Sequence, residues 1–236
     1  MTGPLLVDSS VYGRIFHLAG ESAYELGYGA GTVVELEGRQ VLLTADHLTT
    51  GEAEEFFVLQ NTQVIGERSI NVPLTRISQR VEGLDVAVFE FPRQLVDFSS
   101  LEIIVHAGGV TYTQDVFILG FPYGLYLQRN QEEPRSRIPL VKRGILSGGR
   151  WFGGAQTMLV DCIANPGFSG GPAVFRSFID QRWHFLGVVQ GQFVQKAAEG
   201  DVEGAAKVPA GITAITELNS ALRALKVADL PNLPLE

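Results

Sequence analysis

The hydrophobic pattern of this chain is one of short runs. Gly31-Thr-Val-Val-Glu-Leu-Glu is followed by Gly38-Arg39-Gln40 and then by Val41-Leu-Leu-Thr44. That reads as two strands joined by a Gly-containing turn. Further short apolar alternations fall at residues 56–59, 85–91, 116–120, 157–161, 184–190 and 211–215. Each is bounded by Gly, Pro, Asn or acidic residues, which favour turns. One helix is predicted. Leu218, Ala221, Leu222 and Leu225 have helical spacing after Thr216, a candidate N-cap, and Pro231 and Pro234 close the segment. Residues 129–137 and 196–207 are polar or Ala/Gly-rich and read as surface loops. Neither a repeat nor a linker divides the chain. The pattern predicts an all-β fold, one unit over residues 1–236, with a closing helix.

Composition agrees with that reading. Hydrophobic residues make up 45% of the 236 positions, charged residues 19%, and there are 27 glycines. A sizeable core and many tight turns follow. The net charge of -8 is scattered, and no basic cluster is present. Nucleic acid and anionic membranes are therefore not expected partners, since phosphate binding needs grouped Lys and Arg. Cys162 is the one cysteine, so an internal disulfide is excluded. The first ten residues lack the basic and apolar regions of a signal peptide, and no run is long enough to span a membrane. The expected location is cytoplasmic. The sequence does not give the oligomeric state.

Three segments carry chemistry. The first is Asn165-Pro-Gly-Phe-Ser-Gly-Gly-Pro172. Acyl transfer needs a hydroxyl on a turn and backbone N–H groups aimed at the developing oxyanion. Gly167 can take a turn closed to other residues, so that its N–H and that of Ser169 converge. Gly170 and Gly171 permit close backbone packing behind Ser169. The second is Leu42-Leu-Thr-Ala-Asp-His47, a strand end followed by an imidazole suited to general-base work. By itself the signal is weak, since a histidine at a strand end is more often a plain surface or packed residue. The third is Gly83-Leu-Asp85-Val-Ala-Val-Phe-Glu-Phe91, a carboxylate opening an apolar strand. Asp85 could orient a histidine or simply start a turn. The order His, Asp, Ser along the chain decides among these readings, because triads on other folds run in other orders.

With these residues in view, the sequence resembles the trypsin-like serine peptidases, and within them the bacterial Deg-type branch. Thr44-Ala-Asp-His47 resembles that family's Thr-Ala-Ala-His, and Asp85-Val-Ala-Val its Asp-Ile-Ala-Leu. Gly120-Phe-Pro-Tyr-Gly124 and Arg143-Gly-Ile-Leu-Ser-Gly148 resemble Gly-Asn-Pro-Phe-Gly and Gly-Ile-Val-Ser-Ala. Asp161-Cys-Ile-Ala-Asn165 resembles the run before the family's serine, and the likeness covers roughly residues 27–225. It implies two perpendicular six-stranded β-barrels, about 11–110 and 111–215, with a helix at about 216–226. It implies a catalytic triad of His47, Asp85 and Ser169, an oxyanion hole from Gly167 and Ser169, and a peptide or protein substrate. No metal or organic cofactor is implied.

The specificity pocket implied by resemblance has Ile163 or Ala164 at its base and Gln190, Gly191 and Gln192 as its wall. Without a carboxylate there, it should prefer an uncharged, small-to-medium apolar residue before the cut. Substrate would add as a strand along residues 190–192, with loop 196–207 either gating the cleft or forming a surface insertion. Three departures stand out. Phe168 occupies the place of the acid that pairs with a freshly cut N-terminus in trypsin, Asp46 stands where alanine is usual, and the peptide-binding domain of Deg proteases is not expected after the barrel. A catalytically idle peptide-binding module and a small-acyl esterase are the rival readings. His17, His106 and His184 share no metal-ligand spacing. Cys162 reads as an inert thiol in an apolar strand, with no basic neighbour.

Overall fold

The computed structural model describes residues 7, 9–19, 29–36, 38–50, 52–60, 70–91, 109–127, 137–195 and 208–227. After one turn of helix, α1 (Ser9–Tyr12), come six strands: β1 (Ile15–Ala19), β2 (Gly29–Leu36), β3 (Arg39–Thr44), β4 (Glu54–Gln60), β5 (Ile70–Arg76) and β6 (Ala87–Glu90). They pair in the order β1-β2-β3-β6-β5-β4, and β1 pairs with β4 to close a barrel. A second set follows: β7 (Asp115–Gly120), β8 (Leu140–Phe152), β9 (Ala155–Asp161), β10 (Pro172–Arg176), β11 (Trp183–Gln195) and β12 (Val208–Glu217). This set closes in the order β10-β11-β12-β9-β8-β7. Each of the described strands is paired on both sides, so closure removes the sheet edges they would otherwise present. The helix α2 (Leu218–Ala224) then packs on β9, β11 and β12.

The two barrels have their own cores. Phe16, Val33, Leu42, Leu74 and Phe89 fill the first, and Ile118, Val160, Phe168, Phe175 and Leu186 the second. A third cluster runs between the barrels and under α2, joining Ile15, Val34 and Leu43 to Leu119, Phe121, Val188 and Leu222. This cluster makes the barrel junction a packed interior, and the candidate site lies along it.

The six strand readings and the two strands around Gly38 correspond to β2, β3, β4, β6, β7, β9, β11 and β12. Gly38 sits at φ +75, in the left-handed region the turn requires. Strands β1, β5, β8 and β10 were not marked by the hydrophobic pattern. β5 contains Pro73, and the inward row of β8 is broken by Lys142 and Gly144, so neither shows a clean alternation. Asp85 does not open a strand: β6 starts at Ala87, and Asp85 lies in the loop before it. Thr216 is not the helix cap either. It pairs within the sheet, with Thr157 and Val188. The cap is Glu217, whose carboxylate accepts from the N–H groups of Asn219 and Ser220. Loop 196–207 and His106 lie outside the described residues, as does all of 129–137 except Arg137.

Candidate active site

The ladder between β3 and β6 ends with Thr44 opposite Ala87. Residues just beyond that end on either strand must approach each other. His47, in the 3-10 turn Asp46–Leu48, and Asp85 are those residues. The Asp85 carboxylate accepts twice from His47, from the backbone N–H at 2.8 Å and from Nδ1 at 2.7 Å. One acid thus fixes both the turn and the ring, and it leaves Nε2 as the lone-pair nitrogen. Burial opposes charge on His47. The hydrogen bond and the charge of Asp85, with a contribution from Asp46, outweigh it and raise the pKa above the ordinary 6.5.

Asp46 has a structural account. Its carboxylate is bonded by Arg76, the last residue of β5, and by Arg80 at 3.0 Å. Arg76 also donates to Thr49 Oγ1 at 3.2 Å and to the Ser78 carbonyl at 3.1 Å. Thr49 in turn donates to the Asp46 carbonyl at 2.8 Å. These bonds tie the turn holding His47 to the segment that leads into Asp85. The Arg76 side chain is only 6% exposed, and this carboxylate is the ion-pair partner that its buried position requires. The family's alanine could not do this.

Ser169 stands on the turn between β9 and β10. Its carbonyl accepts from Ala30 N–H at 2.9 Å, and the Ala30 carbonyl accepts from Thr44 Oγ1 at 2.9 Å. The serine turn of the second barrel is thereby pinned to the first barrel, three residues before His47. The glycines behind it are required. A Cβ on Gly170 would lie 2.1 Å from the Ala30 carbonyl oxygen, and one on Gly171 2.0 Å from that of Leu119. The Ser169 hydroxyl donates to the Gln190 carbonyl at 3.1 Å. In this resting arrangement it points to β11 rather than to the imidazole.

The backbone before Ser169 is held by the segment 121–123. Phe121 N–H donates to the Gly167 carbonyl and Tyr123 N–H to the Pro166 carbonyl, both at 2.9 Å. In a trans peptide the carbonyl and the following N–H point opposite ways. With the Pro166 carbonyl turned to Tyr123, the Gly167 N–H faces away from that segment. Neither the Gly167 nor the Ser169 N–H donates to another described residue. Gly167 has φ +103, and a Cβ there would meet the Phe121 carbonyl oxygen at 2.3 Å. Phe168 is fully buried in the second core. Its ring therefore anchors the turn rather than competing for the Gly167 N–H.

Of the residues expected to form the specificity pocket, Ala164 is buried, Ile163 is 44% exposed, and Gln190, Gly191 and Gln192 are half-buried on β11. A Cβ on Gly191 would touch nothing within 4 Å, so β11 borders open space there. Cys162 departs from its sequence reading. It lies just past β9, half-buried, and burial raises its pKa while the nearby charge of Lys142 lowers it. His17 and His184 are packed against Phe121 and Phe175. The sequence reading missed Lys142, Arg76 and Arg80. A lysine in an inward strand row was the available signal for Lys142, whereas nothing local marks the two arginines.

A profile of the trypsin-like peptidase domain matches residues 29–188. The chain belongs to that family. Among solved structures, this trypsin-like peptidase domain is similar to the HtrA-type protease AlgW with tripeptide, at a TM-score of 0.60 and 18% identity. The match covers 91% of this chain and 60% of that one. It is also similar to the Rv3671c protease of M. tuberculosis in its inactive form, at a TM-score of 0.58 and 15% identity, over 93% and 91% of the two chains. None of the curated proteins compared matches this chain. The two structural likenesses establish the fold they share with this peptidase domain.

Proposed function

We propose that this peptidase domain is a serine endopeptidase acting through an acyl-enzyme. One observation carries the reading. Asp85 holds both the backbone and the ring of His47, while the backbone beside Ser169 is locked onto Ala30 and Thr44 of the same barrel. Ser169 Oγ attacks the scissile carbonyl as its proton passes to His47 Nε2. The Gly167 and Ser169 N–H groups hold the oxyanion. His47 then protonates the leaving amine, and the acyl-enzyme forms. Water, deprotonated by His47, attacks the ester and releases the acid and Ser169. Asp85 stays ionised throughout and stabilises the imidazolium.

The substrate proposed is an extended peptide paired along Gln190, Gly191 and Gln192. The similar AlgW structure, described with tripeptide, supports that choice. The test is turnover of a peptide library by the native chain and by Ser169→Ala. Loss of the nucleophile should cost on the order of 10⁶ in turnover. Cleavage by a clean Ser169→Ala preparation at the native rate would end this reading. If the native chain turned over small esters and no peptide, the esterase reading would replace it.

A further inference from the structure

Resting on the proposed peptidase reading, we infer that Lys142 is a positioning residue, an internal cation that holds the oxyanion-forming turn in its working shape. β8 alternates along its first half: Val141, Arg143 and Ile145 are exposed, while Leu140, Lys142, Gly144 and Leu146 face inward. A lysine in that row is a break in the apolar pattern, and a half-buried ammonium needs partners. Among the described residues, its hydrogen-bond and ring partners lie on one turn. Nζ donates to the Ile163 carbonyl at 2.7 Å and to Asn165 Oδ1, and it stands 5.5 Å from the centroid of the Phe168 ring.

Those three contacts span the turn that leads to Ser169. Ile163 lies at its start, Phe168 lies between Gly167 and Ser169, and Asn165 accepts from Phe168 N–H at 3.1 Å. Asn165 Nδ2 also donates to Tyr123 OH at 3.2 Å, on the segment that fixes the Pro166 carbonyl. Lys142 therefore braces the turn from a barrel strand on one side, while residues 121–123 brace it on the other. Phe168 offers a ring to this cation.

The experiment compares the native chain with Lys142→Met and Lys142→Arg. Three quantities are read: the labelling rate of Ser169 by a fluorophosphonate, kcat and KM on one peptide, and hydrogen exchange in the segment 163–171. Lys142→Met should lower labelling and kcat by on the order of 10²-fold, the loss typical of one oxyanion donor, with KM within about threefold. Exchange at the Phe168 and Gly171 N–H groups should quicken. Lys142→Arg, which keeps a cation with several donors, should recover most of the loss. A folded Lys142→Met that labels and turns over at the native rate would overturn the inference, as would equal losses in both variants. Failure of the native chain to label would instead overturn the peptidase reading. The exchange of segment 163–171 would then still show whether Lys142 holds the turn, and unchanged exchange would overturn that too.

Discussion

The imidazole of His47 is where the charges of this site are added up. Asp85 and Asp46 both favour its protonated form, and burial opposes them without winning. Catalysis needs the neutral ring, so the acid limb of kcat/KM should have its midpoint above pH 6.5, the ordinary histidine value. The sign for stability is opposite. A raised pKa stabilises the fold fully below the unfolded value, and that contribution is lost as pH rises through the folded value. Replacing Asp46 by Asn removes one of the charges that favour imidazolium, so the acid limb of Asp46→Asn should move to lower pH. A pH–rate profile checks this, and a limb at the native position would mean that Asp46 serves the turn alone. Asp46 was visible in the sequence as a departure from the family's alanine. Its partners were not, because Arg76 and Arg80 reach it only once β5 is folded beside the histidine turn.

At the scale of single elements, the tightest constraint is the glycine run around the serine. Gly170 has φ +77, and its α-carbon lies against Ala30, Thr44 and Ala45 of the first barrel. A methyl group there has no room, because the atoms it would meet are backbone or a bonded hydroxyl. Gly170→Ala should therefore separate the serine turn from the histidine turn. The expected result is a drop of at least 10²-fold in Ser169 labelling, since small misplacements carry penalties of that order. Circular dichroism should still report a β fold. Unchanged labelling would show that the junction adapts. The helix offers a smaller, separate test. Glu217 caps α2 through two backbone N–H groups, and Glu217→Ala should lower stability by about 1 kcal/mol. A denaturant titration measures it. Thr216 looked like the cap because threonine favours that position, but the sheet claims it for the last pairs of β12.

Taken whole, the molecule puts histidine and aspartate on one barrel and serine on the other, with a shared core between them. If Lys142 and the 121–123 segment brace the serine turn as inferred, a cut N-terminus is not expected to be needed to shape it. The uncleaved chain should react with a fluorophosphonate. Labelling that appears only after a defined N-terminal cut would contradict this. The same arrangement bears on specificity. Ile163 and Ala164 provide no carboxylate, and the Lys142 ammonium sits at the Ile163 carbonyl. A substrate cation would meet an apolar base beside a like charge. Cleavage after uncharged, small-to-medium apolar residues is expected from a peptide library, and dominant cutting after Lys or Arg would refute the pocket assignment.

Residue order and local chemistry determined the architecture and the candidate reacting groups. Short apolar runs between glycines can be satisfied only by strands and turns, and Gly-Phe-Ser-Gly-Gly-Pro needs a close backbone approach whatever surrounds it. These are local properties, so they are legible in one dimension. The tertiary structure decided which groups support them. The ladder end that brings Asp85 to His47, the contact of Ala30 with Ser169, and the reach of Lys142 to Asn165 all join residues far apart in the chain. Their energies depend on burial and distance, which exist only after the barrels close. Lys142 shows the difference most clearly. Along the sequence it is a polar residue that spoils a strand pattern, and inside the second barrel it is a charge with its contacts on a single turn.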